Sequence, residues 1–313
     1  MRLILALAAL LPLARPPRAE TLVETLGPLR LKGIHQSMQG PFEMKTIQFE
    51  RPGWIRSVSL RLLDARGRRS ADTAVFCHAI FRAPAQPIEV DGKIFMLGRN
   101  FPLAPDQDAV KFPAGFGLHV DTVSLYVLEG MLQSPDKPRD AVYTMRVDID
   151  FVDDAHAVGI KPLHHLSIRI DPNGADGGRA LTRRQIKQLP QGARADLMHM
   201  WWVPPGRHEY ATSFTLPRAI LVHAATVHIH RFGAGFALRE RRTGRVILSG
   251  APPPAAREMS EVPFYSDARG LRLDKGVDYE FSVVYDNPGP APTSAMGTLH
   301  LFFDPDDASG GPR

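Results

Sequence analysis

The 313-residue chain contains one cysteine, Cys77, so no disulfide can form within it. A small disulfide-stapled fold is excluded, and stability must come from a hydrophobic core that a chain of this length can build. Long apolar runs are equally scarce. The longest, Leu3 to Leu13, is too short to span a bilayer comfortably. No sign of charge dominates either. The formal net charge is +5, but Arg2, Arg15 and Arg18 lie in the first 19 residues, and without them 35 basic residues face 33 acidic ones. No basic run interleaved with aromatics remains, so nucleic acid is not an expected partner. The chain also lacks a Gly-x-Ser-x-Gly elbow, a phosphate-cradling glycine loop and an EF-hand pattern. The acidic pairs Asp153-Asp154 and Asp148/Asp150 could hold a hard cation, but a solvated strand face explains them more simply.

Residues 1–19 read as a secretory signal: Arg2 supplies the charged start, Leu3 to Leu13 the apolar stretch, and Pro17-Arg18-Ala19 a cleavage region. The expected product is secreted or periplasmic, with no stable membrane span after cleavage; the alternative is an uncleaved anchor.

Gly (26) and Pro (28) are spread along the chain, which favours many strands joined by tight turns. Ile55 to Leu63 alternates with Val58, Leu60 and Leu62 on one face, Ala74 to Phe81 suits a buried strand, and Tyr143 to Phe151 alternates apolar with mostly charged residues. Strand patterns resume at Met198 to Val203, Glu209 to Leu216, Ile220 to His230, Gly235 to Glu240 and Tyr279 to Tyr285. Between the halves lie a strand candidate, Leu166 to Ile170, and a short helix from Thr182 to Leu189, ended by Pro190. The expected fold is all-β, with two tandem antiparallel β-sandwich (jelly-roll-like) domains. The boundaries are residues 1–19 for the signal, 20–155 for the first sandwich, 156–196 for a connector, 197–304 for the second sandwich and 305–313 for a disordered tail.

The segment Val227-His228-Ile229-His230 carries most of the chemistry. Imidazoles two residues apart on a strand point to the same side of the sheet and can close on one ion. Met296 opens another apolar strand downstream. Two imidazoles with a thioether favour copper, because soft sulfur suits Cu(I) and imidazole suits either oxidation state. The plain alternative is two half-exposed strand histidines and a core methionine. His223 has the opposite parity and is left out of the site. Cys77 and His78 are adjacent, so a regular strand would turn them to opposite faces, and Cys77 then reads as a small buried hydrophobe. His164 and His165 read as solvent-facing structural residues, and His199 and His208 have no partner pattern.

In several segments the chain resembles the copper type II, ascorbate-dependent monooxygenases, the family of peptidylglycine α-hydroxylating monooxygenase and dopamine β-monooxygenase, and the plant stress-up-regulated nodulin group. Val203-Pro204-Pro205-Gly206 resembles the family's Pro-Pro-Gly turn, Val227 to His230 its paired-histidine strand, and Met296 its methionine ligand. Val75 to Phe81 is similar to the strand bearing the other copper's histidines, but Cys77 replaces one, and Met131 falls near the expected third. Thr226 and His300 replace an arginine and a tyrosine of the peptide-binding site, which argues against peptide amidation. The resemblance implies one copper ion at His228, His230 and Met296, with O2 and an external reductant as partners if the protein is an enzyme. It also implies a degenerate second metal site at His78 and Met131, with His119 or His164 as further candidates. The competing expectation is a non-catalytic copper-handling or interaction module on the same fold.

Overall fold

The computed structural model describes residues 19–35, 37, 39–90, 93–105, 107–172, 201–251 and 264–304. Residues 1–18 of the expected signal segment, the helix expected from Thr182 to Leu189, His199 and the expected tail from residue 305 lie outside the described residues.

The first half contains β1 (Glu20–His35), β2 (Phe42–Ile47), β3 (Gly53–Asp64), β4 (Phe76–Val90), β5 (Lys93–Leu103), β6 (Ala109–Lys111), β7 (Phe116–Val120), β8 (Tyr126–Leu132), β9 (Ser134–Asp153) and β10 (Lys161–Pro162). One sheet runs β1-β9-β3-β7-β10 with β6 also on β3, and the other runs β2-β8-β4-β5. The second half contains β11 (His164–Arg169), β12 (Trp201–Val203), β13 (Gly206–Thr215), β14 (Ile220–Ile229), β15 (Gly233–Glu240), β16 (Val246–Gly250), β17 (Tyr265–Leu273), β18 (Asp278–Asn287), β19 (Thr293–Ala295) and β20 (Gly297–Asp304). Its sheets run β11-β20-β14-β17 and β13-β18-β15-β16, with a small β12-β19 pair. Pairing is antiparallel except between β10 and β7. The all-β, two-sandwich architecture is therefore present. The stretch expected as a connector contributes β10 to the first half and β11 to the second, so the chain crosses over at Leu163.

Alternation builds the cores. Along β9, Met145, Val147, Ile149 and Phe151 are buried, while Arg146 and Asp148 form an ion pair on the other face. Strand β20 breaks this pattern: all eight of its residues are buried. A strand buried on both faces belongs to a sheet covered twice. Leu299, Leu301 and Phe303 pack into the second core, whereas Phe302 belongs to the first half's core. Its ring lies 6.1 Å from Phe101 and 5.1 Å from Phe112. One face of the β11-β20-β14-β17 sheet thus serves as the floor between the two halves.

Candidate functional site

The period-two rule assigns Met296, Thr298, His300 and Phe302 to that inter-half face. Register places His228 opposite Thr298 and Thr226 opposite His300 on β14, and Ser167 opposite His300 on β11. A cavity of about 290 Å³ lies over this face, and His228, His230 and Met296 all line it. The first half closes it with His78 and Arg82 from β4 and Asn100 from β5. His228 and His230 also border a second cavity of about 290 Å³, beside Trp202 and Phe232.

The chain reverses immediately after the histidine pair. β14 ends at Ile229, the Gly233 N–H donates to the His230 carbonyl at 3.1 Å, and Phe232 takes a positive φ of 69°. That left-handed conformation is uncommon for an aromatic residue and is held here by tertiary structure. The backbone N–H groups of His230 and Met296 both donate to the Tyr285 hydroxyl, at 2.9 and 3.1 Å, and that hydroxyl donates to the Met296 carbonyl at 2.6 Å. Gly297 follows because a Cβ there would stand 3.1 Å from Ile170 and 3.2 Å from Val283.

The rings of His228 and His230 are 5.3 Å apart and nearly perpendicular. Burial lowers the His230 pKa to about 3, assisted by the nearby His228 and His78. Neutral imidazole is the form that ligates metals, so this environment suits the role. Among the described residues no group of three or more His, Cys, Asp or Glu side chains is arranged to hold an ion. The His228, His230 and Met296 set contains only two such groups and relies on the thioether for its third donor.

Two expectations about neighbouring histidines are corrected. His164 and His165 are buried, not solvent-facing. His165 lines the cavity, where its Nε2 lies 2.9 Å from His300 Nδ1, with the Ser167 hydroxyl 3.2 Å from both nitrogens. Burial, helped by Arg169, holds His165 at about 3; burial, His165, His228 and Arg169 together hold His300 well below the ordinary histidine value. His223 is the extra residue of a register shift between Val222 and Ala224, so simple parity does not apply to it. It stacks on Phe116 at 3.9 Å, facing the first half but not lining the cavity.

The second-site candidates separate. His78 lines the shared cavity. Met131 pairs with it across β8 and β4 but does not line that cavity. His119 contacts Asp154 at 2.9 Å, and His164 packs near Phe303. Cys77 and His78 were expected on opposite faces, yet a register shift between Phe76 and His78 turns both to the cavity. Cys77 Sγ lies 3.4 Å from His78 Nδ1 and 3.6 Å from Ser37 Oγ.

No protein-family model matches the chain, and no curated protein matches it. Among solved structures, the fold is similar to PNGase F, a glycosylasparaginase from Flavobacterium meningosepticum, at 10% identity over 91% of this chain and 96% of that one, with a TM-score of 0.34. It is also similar to the major capsid protein P2 of bacteriophage PM2, at 10% identity over 90% and 98%, with a TM-score of 0.36. PNGF-II matches at 9% identity over 95% of this chain and 66% of that one, with a TM-score of 0.38. Likeness at this level concerns β-sandwich architecture and says nothing of chemistry. These neighbours correct the resemblance to copper type II monooxygenases: the fold's likenesses are to glycanases and capsid jelly rolls. The short Pro-Pro-Gly and His-x-His motifs that suggested the family arise readily in unrelated strand-and-turn proteins.

Proposed function

We propose that this is an exported copper-binding protein whose single ion is held by His228, His230 and Met296. The observation that carries the reading is that all three side chains line one cavity, while Tyr285 fixes the backbone of both segments that present them. Two imidazoles, of which burial holds His230 neutral, and a soft thioether make a donor set suited to Cu(I). Copper handling needs nothing further. A second reading, oxidative chemistry at the ion with O2 and an external reductant, draws on the space left in the cavity beside the ligands, rimmed by Asn100, Arg169 and the Arg82–Glu129 ion pair.

The test is copper retention after reconstitution and desalting. About one ion per chain is expected, lost in His228→Ala and kept in His223→Ala. Equal retention in the two variants would overturn the site. Reductant-dependent O2 uptake that disappears in Met296→Leu would favour the oxidative reading; bound copper without such uptake leaves handling as the function.

A further inference from the structure

We propose that Cys77 is also a ligand of this ion, so that the metal ties the two halves of the molecule together. The inference rests on the copper reading above and adds a donor from the other half. Three observations carry it.

First, position. Cys77 is the chain's one thiol, and although buried it borders both cavities that His228 and His230 border. Second, the backbone. In an unbroken strand Cys77 would share the inward parity of Ala79 and Phe81, which are fully buried in the first core. The register shift between Phe76 and His78 removes it from that row and aims it into the cavity beside His78. Bulges of this kind re-aim a side chain at the cost of ladder pairing. Third, chemistry. Two imidazoles, a thiolate and a methionine thioether form the donor set of copper centres in which thiolate and imidazole bind strongly and the thioether weakly. Around the sulfur, His78 Nδ1 at 3.4 Å and Ser37 Oγ at 3.6 Å orient it, as outer partners of a metal ligand do.

The donors line the cavity without closing on a common point, so binding must draw β4 of the first half towards β14 and Met296 of the second. The thiol proton is released on ligation. The metal then acts as a latch between the sandwiches.

The experiment adds Cu(II) to the full chain, with far-UV circular dichroism confirming that each variant is folded. Wild type should develop an intense visible thiolate-to-Cu(II) charge-transfer band. Cys77→Ser should lose the band and bind Cu(I) at least about tenfold more weakly, and copper should raise its melting temperature less than that of wild type. If Cys77→Ser misfolds, Cys77→Ala serves for the same measurements. A Cys77 variant that matches wild type in spectrum and affinity overturns the latch and leaves the copper reading standing. Wild type that retains no copper overturns both.

Discussion

The Tyr285 hydroxyl and the Met296 backbone are joined twice, by a 2.6 Å bond donated to the Met296 carbonyl and a 3.1 Å bond accepted from its N–H. The same oxygen accepts the His230 N–H, so one phenol fixes two of the three proposed copper-binding segments relative to each other. Tyr285 is fully buried. Removing its hydroxyl leaves two donors and an acceptor with little access to water, and each such group costs about 1–3 kcal/mol. Tyr285→Phe should therefore lower unfolding free energy by about 3 kcal/mol or more in denaturant titration. It should also weaken copper affinity by about tenfold, as loss of an outer positioning contact does. Unchanged affinity in a folded Tyr285→Phe protein would show that the clamp does not position the ligands.

The His165–His300 pair makes a prediction about pH. Both histidines are held below the ordinary value of 6.5, His165 at about 3. Arg169 and His228 act on the pair electrostatically, and Ser167 and Phe302 pack against it. The unfolded chain binds more protons than the folded one between these values, so stability is complete above pH 6.5 and declines as pH falls towards 3. The slope is about 1.4 kcal/mol per pH unit for each fully buried histidine. Between pH 5 and 6.5 ordinary carboxylates stay ionised, so metal-free protein measured in that window isolates the histidines. His165→Gln/His300→Gln should reduce the slope there and leave the share of His230, which burial also holds at about 3; an identical slope in wild type and double variant would rule the pair out as a source.

Asn287 closes the loop bordering the second cavity. Its Nδ2 donates to the carbonyls of Val203 at 3.2 Å and Ala291 at 2.9 Å, and its Oδ1 accepts the Gly289 N–H at 3.0 Å. Asn287→Asp keeps the shape and the acceptor but turns a carboxylate towards two carbonyls. The buried position gives the charge no solvent. A loss of about 2–3 kcal/mol is expected in chemical denaturation, and a neutral result would mean that the loop rearranges to admit water.

Much of the molecule was legible from side-chain period alone. Alternation along residues 143–151 assigned a strand and a buried face that the structure reproduces, and His228 and His230 do line one cavity although β14 ends between them at Ile229. The same rule, continued past Met296, puts Thr298, His300 and Phe302 on one face, so the placement of His300 beside the proposed ligands was readable in principle. His165 was not, because it reaches the site only through the pairing of β11 with β20, a contact across more than a hundred residues of sequence. Cys77 and His223 escaped parity for a local reason: each sits at a register shift, and a bulge is defined by the partner strand as much as by its own sequence. The family resemblance failed because short ligand and turn motifs constrain a few strand positions and leave the rest of the fold open.

Phe302 tests whether the halves fold as one unit. It extends from the second half's sheet into the first half's core, is 1% exposed, and meets Phe101 and Phe112 there. Truncation removes a whole ring from a packed aromatic cluster, and Phe302→Ala should cost about 3–5 kcal/mol. That loss falls on the contact between the two cores, while Leu299, Leu301 and Phe303 still anchor β20 in its own. The halves should then melt separately, giving two calorimetric transitions where wild type gives one. A single transition shifted to lower temperature would mean that the remaining contacts, among them Phe116 on His223 and Lys161 with Asp304, suffice to couple the sandwiches.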